Sequence, residues 1–374
     1  MCKGEKVKMD NKKLSLASKR AIERGYFEGS NEWFTYFGFE ELKGDLAPQE
    51  GVIRRDPSSV ILVDGLYYNY YTKSTGTCYG VDPSKPEQKS FPWDYAEVWY
   101  ATSKDGYEWK EMGIAVGLGE KGSYDDRSVF TPEILAHEGK YYLSYQCCSK
   151  EHLHRTKHCI GMSVADNPNG PFIKLEEPIL YTADNGEWYG EEDNRFLASK
   201  KGDFDSAQVH DPYIHYFKGK FYLYYKGEVM GEEMFKGGRE VKWGVAIADS
   251  VLGPYIKSEY NPITNSGHEP CLWEYNGGMA ALVTSDGMEK NTIQYAEDGI
   301  NFEIVASVGR WEGIPHAAGP FRLNPEDNKK PLDGIGWGLS MVSSKYDYIV
   351  RFHTNEYLKN EANAARDKMK AIRG

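Results

Sequence analysis

The apolar positions of the chain fall into short aromatic runs, each led by a two-residue turn that ends in glycine. Asp64-Gly65 opens Leu66-Tyr67-Tyr68-Asn69-Tyr70-Tyr71, and Glu138-Gly139 opens Lys140-Tyr141-Tyr142-Leu143-Ser144-Tyr145. Lys218-Gly219 opens Lys220-Phe221-Tyr222-Leu223-Tyr224-Tyr225, and Asn276-Gly277 opens Gly278-Met279-Ala280-Ala281-Leu282-Val283. Runs this short, bounded by turn residues and rich in aromatics, predict strands. A further strand follows in each unit, at residues 97–102, 160–165, 243–248 and 292–296. Turns at Asp105-Gly106, Asn169-Gly170-Pro171, Gly253-Pro254 and Asp298-Gly299 then lead to a short outer strand.

Ahead of each glycine turn stands a first strand marked by a proline step. The steps are Asp56-Pro57, Thr131-Pro132-Glu133, His210-Asp211-Pro212, His268-Glu269-Pro270 and Gly319-Pro320. Four strands per unit is a propeller blade. A fifth unit uses Phe321-Arg322-Leu323, residues 336–342 and residues 348–352. The expected fold is therefore all-β, a five-bladed β-propeller with an N-terminal helical arm and a C-terminal helix. Insertions at 74–95, 112–130, 148–158, 181–208 and 226–241 belong on a face where loops can shape a site.

Both ends change period. Residues 14–24 place Leu14, Ala17 and Ala21 on one side of a helix stopped by Gly25, and residues 355–371 do the same with Leu358, Ala362, Ala365 and Met369. The first helix is too short to bury its apolar face alone, so it must dock on the main domain or on a second subunit. The expected organisation is a tail and helical arm over 1–45, the propeller over 46–352 and a helical tail over 353–374.

Composition narrows the partners. A net charge of -11 and an isoelectric point near 5.4 disfavour nucleic acid or an anionic membrane surface and leave a neutral ligand. No apolar stretch approaches the length of a membrane span. The six cysteines contain no CxxC pair and read as free thiols in a reducing setting. Cys147 and Cys148 with His152, His154 and His158 lack zinc-site spacing and fall on a polar connection, so they are not read as a metal centre. Met1-Cys2-Lys3-Gly4 fits an ordinary start, or a lipoprotein cysteine whose signal has been replaced by methionine. Localisation stays open between cytoplasm and periplasm.

The first strands of a propeller line its central channel, so Asp56, Glu133, Asp211 and Glu269 are expected to converge, with His210 and His268 beside two of them. Carboxylates this close shift one another's pKa, and a cation or sugar hydroxyls could offset their repulsion. Paired carboxylates are what glycoside hydrolysis requires. Trp93, Trp188, Trp243 and Trp311 are candidates for stacking on a sugar ring.

Asp56, Asp211 and Glu269, in that order on five blades, resemble the propeller glycosidases. Ser15-Leu16-Ala17-Ser18-Lys19-Arg20 matches the SxAxxR motif that glycoside hydrolase family 117, the α-1,3-(3,6-anhydro-L-galactosidases), uses in a dimerising arm. With Asp56-Pro57-Ser58-Ser59, Thr131-Pro132-Glu133, His210-Asp211-Pro212 and Gly267-His268-Glu269-Pro270, the resemblance covers nearly the whole chain. It implies an inverting enzyme that removes 3,6-anhydro-L-galactose from the non-reducing end of neoagaro-oligosaccharides, working as a homodimer. On this sequence it implies Asp56 as general base, His268 as general acid, and Asp211 and Glu269 as groups that orient the sugar or tune the acid. Trp93, Thr131, Glu133, His210 and His316 are the expected sugar contacts, and one divalent cation (Mg, Ca or Zn) is expected in the channel. Two alternatives remain: a related propeller glycosidase for arabinose- or xylose-containing chains with Glu269 as the acid, and a non-catalytic sugar-binding propeller.

Overall fold

Two-residue turns at Asp64-Gly65, Glu138-Gly139, Lys218-Gly219 and Asn276-Gly277 each join an inner strand to its aromatic neighbour. Both turn residues have positive φ, 48 to 49° at the first and 73 to 78° at the glycine. That backbone lets a two-residue hairpin follow the twist of its strands, and glycine adopts it without a steric cost. These are the positions that made the repeat visible in the sequence.

The computed structural model describes residues 13–23, 33, 35–82, 84–85, 87–233, 239–309 and 312–373. Each hairpin grows into a blade. From the inside outwards, blade 2 runs Ser128–His137, Lys140–Cys148, Cys159–Ala165 and Ile173–Lys174, all antiparallel. Blade 3 runs Gln208–Phe217, Lys220–Glu228, Lys242–Ala248 and Ile256–Lys257, and blade 4 runs Leu272–Tyr275, Gly278–Val283, Thr292–Ala296 and Glu303–Ser307. Blade 1 has its inner strand broken into Val52–Arg55 and Ile61–Val63, both paired with Leu66–Thr75. Glu97–Ser103, Glu108–Val116 and a parallel Lys43–Gly44 complete it.

Blade 5 draws on both ends of the chain. Gly319–Pro320, Trp337–Val342 and Tyr348–Thr354 are joined on the outside by Phe37–Glu41, with Phe37 opposite Thr354 and Glu41 opposite Val350. Pairing the first strand with the last blade closes the ring and covers an edge that would otherwise be open. The propeller thus begins before residue 46, the boundary expected from the repeat, and Phe37 and Phe39 are blade residues.

Apolar clusters hold the blades together at every seam. Tyr70, Val98 and Ile134 lie between blades 1 and 2, and Leu135, Ile160, Val209 and Leu223 between blades 2 and 3. Tyr224, Val245, Leu272 and Met279 lie between blades 3 and 4, Leu282, Ile293, Phe37 and Phe352 between 4 and 5, and Trp109, Tyr71, Leu339 and Ile349 between 5 and 1. Side chains alternate across each strand, so every blade offers an apolar face to both neighbours. The described cysteines are all free, four of them buried.

Contacts divide the chain into residues 1–32 and 33–374. In the first unit a helix spans Leu16–Glu23, with Leu16 and Ile22 exposed. In the second, a helix over Glu356–Arg373 leaves Met369 and Ile372 exposed. Among the described residues no helix is long and apolar enough to cross a membrane.

Candidate active site

Proline cannot donate to a strand ladder, and at the proline steps the inner strands break register. Pairing slips between Phe130 and Glu133 in blade 2 and between His210 and Tyr213 in blade 3, while in blade 1 residues 56–59 fall outside the strand ladder. The residue at each break is left-handed: Asp56 (φ 48°), Thr131 (44°), Asp211 (50°) and, in blade 5, Ala317 (45°). Bulges of this kind re-aim a side chain. Here they bring Asp56, Thr131, Asp211, Glu269 and Ala317 to one cavity, with Glu133 beneath them.

Blade 2 contributes both Thr131, its left-handed residue, and Glu133 to the lining of this cavity. Thr131 Oγ1 lies 3.3 Å from Asp56 Oδ2, and its backbone N–H donates to Thr72 Oγ1 at 2.8 Å. Glu133, two residues further along, accepts from the Ser59 N–H at 2.8 Å and pairs with Arg322 at 2.5 Å. Burial pushes its carboxyl up and Arg322 opposes the shift. The Glu133–Arg322 pair forms the floor of the acidic cavity, and Arg322 belongs to the lining of a second cavity beyond it.

Asp56 is buried. Its Oδ2 accepts from Arg55 Nε at 2.9 Å and Thr72 Oγ1 at 3.1 Å, whereas Oδ1 has no hydrogen-bond partner. Burial raises its pKa, Arg55 pulls it down, and Glu269 and Asp211 push it up again. Arg55 is itself shared with Asp347 at 3.0 Å.

Opposite stands a tight cluster from blades 3 and 4. His268 Nδ1 is 2.7 Å from Glu269 Oε1 and 3.9 Å from Asp211 Oδ2, and Nε2 is 3.8 Å from Asp286 Oδ2. Lys226 pairs with Asp211 at 2.7 Å and reaches within 3.3 and 3.5 Å of the two imidazole nitrogens. Burial favours the neutral ring of His268, but Glu269 and Asp211 outweigh burial and Lys226 together, and the pKa is raised. Glu269 is correspondingly held well below the carboxylate range: burial opposes ionisation, and His268, His316 and Lys226 overcome it. His316 stands 3.8 Å from Glu269 Oε2 and shares a 2.9 Å hydrogen bond with Ser285 Oγ.

Comparison with solved structures places this geometry in a family. A family 117 glycoside hydrolase, Zg3597 from the marine bacterium Zobellia galactanivorans, matches with 36% identity over 87% of this chain and 92% of its own, at a TM-score of 0.70. The chain belongs to glycoside hydrolase family 117. A model of glycosyl hydrolases family 43 also matches residues 52–189. Two family 43 structures share the fold: CoXyl43, a β-xylosidase/α-arabinofuranosidase from a compost metagenome (15% identity, 85% of this chain and 95% of that one, TM-score 0.53), and an enzyme from Xanthomonas citri (14%, 84% and 90%, TM-score 0.51). No curated protein matches.

In this family 117 hydrolase the sugar-stacking candidates separate. Trp93 is half-buried, stacked at 4.8 Å on Phe91, and carries the Arg55 guanidinium 5.0 Å from its ring, which ties it to Asp56. Trp188 sits in a small two-stranded sheet with Ala198–Lys200, near Arg155. Trp243 is no rim residue. It is fully buried, and its Nε1–H donates to the His268 carbonyl at 2.7 Å, bracing the loop that carries the histidine. Trp311 lies outside the described residues. His210 is buried against Glu228 (3.3 Å) and His158 (3.1 Å).

Sequence reasoning missed Lys226, Arg55 and Asp286. Lys226 left a signal: it is a cation closing the apolar run Phe221-Tyr222-Leu223-Tyr224-Tyr225, and a lysine buried at that position needs a carboxylate.

Proposed function

We propose that the protein is an exo-acting, inverting α-1,3-(3,6-anhydro)-L-galactosidase that releases 3,6-anhydro-L-galactose from the non-reducing end of neoagaro-oligosaccharides. The observation that carries the reading is the 2.7 Å contact between His268 Nδ1 and an ionised Glu269. A general acid must hold its proton at the working pH, and a histidine raised by a carboxylate does so near neutrality. A carboxyl held well below its usual range is a poor proton donor, so Glu269 suits the role of tuning His268 better than that of the acid itself.

In the proposed reaction Asp56 takes a proton from the attacking water, whose oxygen bonds to the anomeric carbon. His268 gives its proton to the departing glycosidic oxygen as that C–O bond breaks. The unpartnered Asp56 Oδ1 is the acceptor, and a carboxylate raised by burial is a stronger base than one in water. Thr72, Thr131 and Arg55 hold the other oxygen and fix the carboxylate plane. Asp211, locked by Lys226, orients the sugar, and Trp93 offers a ring for stacking.

The family resemblance implies a divalent cation. Buried carboxylate oxygens without a hydrogen-bond donor, Asp56 Oδ1 and Glu269 Oε2, with the Asp211 carboxylate nearby, fit a hard ion such as Mg²⁺ or Ca²⁺ held through water. Bound there it would neutralise part of the acidic charge. The exposed Leu16 and Ile22 of the N-terminal helix support a homodimer built through that arm.

The test is to incubate the protein with neoagarobiose and follow the anomeric proton signals of the products. Release of 3,6-anhydro-L-galactose with inverted configuration supports the reading. Release from xylo- or arabino-oligosaccharides instead would favour the family 43 chemistry, and binding without product would make it a sugar-binding propeller.

A further inference from the structure

Three histidines meet outside the acid cluster. His152 lies between the second and third strands of blade 2, His158 immediately precedes the third, and His210 belongs to the inner strand of blade 3. Their rings lie 5.0, 5.8 and 6.0 Å apart, and one nitrogen from each falls within 4.8 Å of the other two. His158 Nδ1 and His210 Nε2 are 3.1 Å apart. Two ligands of a tetrahedral zinc ion with bonds of about 2.0–2.1 Å stand roughly 3.3 Å apart, so this separation needs only a small adjustment.

The protein alone leaves this group unsatisfied. Glu228 Oε1 lies 3.3 Å from His210 Nδ1, which places the His210 proton there and turns the Nε2 lone pair towards His158. His158 Nε2 is buried with no hydrogen-bond partner, and Gln146, whose Nε2 lies 3.4 Å from His158 Nδ1, leaves its Oε1 without one as well. If His158 donates to His210, its Nε2 is a buried lone pair facing nothing. If it carries its proton on Nε2, that proton is buried without an acceptor, and the Nδ1 lone pair faces that of His210 at 3.1 Å with only a long 3.4 Å contact from Gln146 Nε2 beside it. Buried polar groups are seldom left this way without a ligand or ion to complete them. A carboxylate holding the far nitrogen of a histidine is also the usual support for a metal-ligating imidazole. The neighbouring charges balance, with Arg195, Arg239 and Lys226 set against Glu228, Glu232 and Asp211.

We propose that His152, His158 and His210 form a binding site for a divalent transition-metal ion, Zn²⁺ by preference, separate from the carboxylate cluster of the channel. Three imidazole donors select a borderline-soft ion over Mg²⁺ or Ca²⁺. No fourth histidine, cysteine or carboxylate joins the group among the described residues, so the remaining position falls to water or another small ligand. The site would tie the loop between residues 148 and 159 to blade 3. His152 in that loop also packs edge-on against Phe91 and Trp93, so the ion would steady the aromatic wall beside Asp56. The inference goes beyond the hydrolase reading and does not depend on it.

The test uses the full chain, stripped with chelator, returned to buffer containing excess Mg²⁺ to fill oxygen-donor sites, and titrated with Co²⁺. Visible ligand-field bands of a four-coordinate Co²⁺ should grow to saturation and be displaced by Zn²⁺. His152→Ala and His158→Gln should each weaken binding at least about tenfold, since even outer-sphere changes at metal sites cost that much. Glu269→Gln should leave the bands intact. His152 is only half-buried, so its variant keeps the reading open should His158→Gln fail to fold. Absence of the bands in the wild-type chain, their survival in His152→Ala, or their loss in Glu269→Gln would overturn the proposal. Because the readout needs no substrate, it is independent of whether any sugar is cleaved.

Discussion

The same five inner strands have two ends, and the ends treat the same residue types in opposite ways. At one, His268 sits against Glu269, which raises the imidazole pKa, while Glu269 is held well below the carboxylate range. At the other, four to five residues along the strands, His215 and Glu274 stand 3.9 Å apart in a cavity of about 350 Å³ lined also by Leu135, Trp273 and Phe321. There burial and Arg322 drive His215 well below its usual pKa, and burial raises Glu274 despite Arg322. Between the ends lies the Glu133–Arg322 pair. The larger hollow is thus the one whose histidine is kept uncharged. What distinguishes the acidic end is pairing: a lysine locks Asp211, and a short histidine–carboxylate contact replaces lost hydration.

The sharpest way to break this contrast is to remove the proton carriers. Asp56→Asn should lower kcat by about 10²–10⁴-fold, the usual worth of a general acid or base, in a product-release assay with neoagaro-oligosaccharides. A variant at full rate would remove Asp56 from the reaction. Next comes the floor. Arg322→Met strands a buried Glu133 carboxylate and should destabilise the fold by about 3 kcal/mol or more, read from denaturant unfolding. Adding Glu133→Gln should recover much of the loss if the ion pair is the cause.

The pH dependence sharpens the comparison further. Asp56 must be ionised, so activity is lost as pH falls through its raised pKa; His268 must be protonated, so activity is lost as pH rises through its raised pKa. Both limbs of the kcat/KM profile should therefore lie above the ordinary values of about 3.9 and 6.5. Glu269 raises both groups, so Glu269→Gln should move both limbs to lower pH. The smallest effect is expected at the far end, where His215→Asn should change kcat by less than about twofold, as for a group that transfers no proton. A large loss there would show that the two ends are not chemically separate. Apart from that contrast, removal of residues 1–30 should halve the mass in solution if the arm builds a dimer.

The blades and the acidic end are legible in the sequence for local reasons, whereas the far end around His215 and Glu274 is not. The glycine turns betray the blades because both turn residues need positive φ. The proline steps betray the acid ring because they mark where the ladders break. Phe37–Glu41 could not be recognised as the closing strand, since its partner lies more than 300 residues away and nothing nearby encodes that pairing. Glu133 does line the acidic cavity, but proline spacing does not reveal that the left-handed residue of the bulge is Thr131 or that Glu133 is tied up with Arg322. Trp243 read as a rim aromatic because a buried and an exposed tryptophan look alike in a strand run. His152, His158 and His210 escaped notice as a group because two sit on blade 2 and the third crosses from blade 3.

In the proposed reaction His268, its pKa raised by Glu269, delivers the proton at the acidic end. The most direct measurement is the rate of 3,6-anhydro-L-galactose release from neoagarobiose by wild type and by His268→Ala. A fall of at least about 100-fold in kcat, the lower bound for losing a general acid, is the expected result. Wild-type turnover by His268→Ala, with Glu269→Gln inactive, would assign the proton to the carboxyl and contradict it.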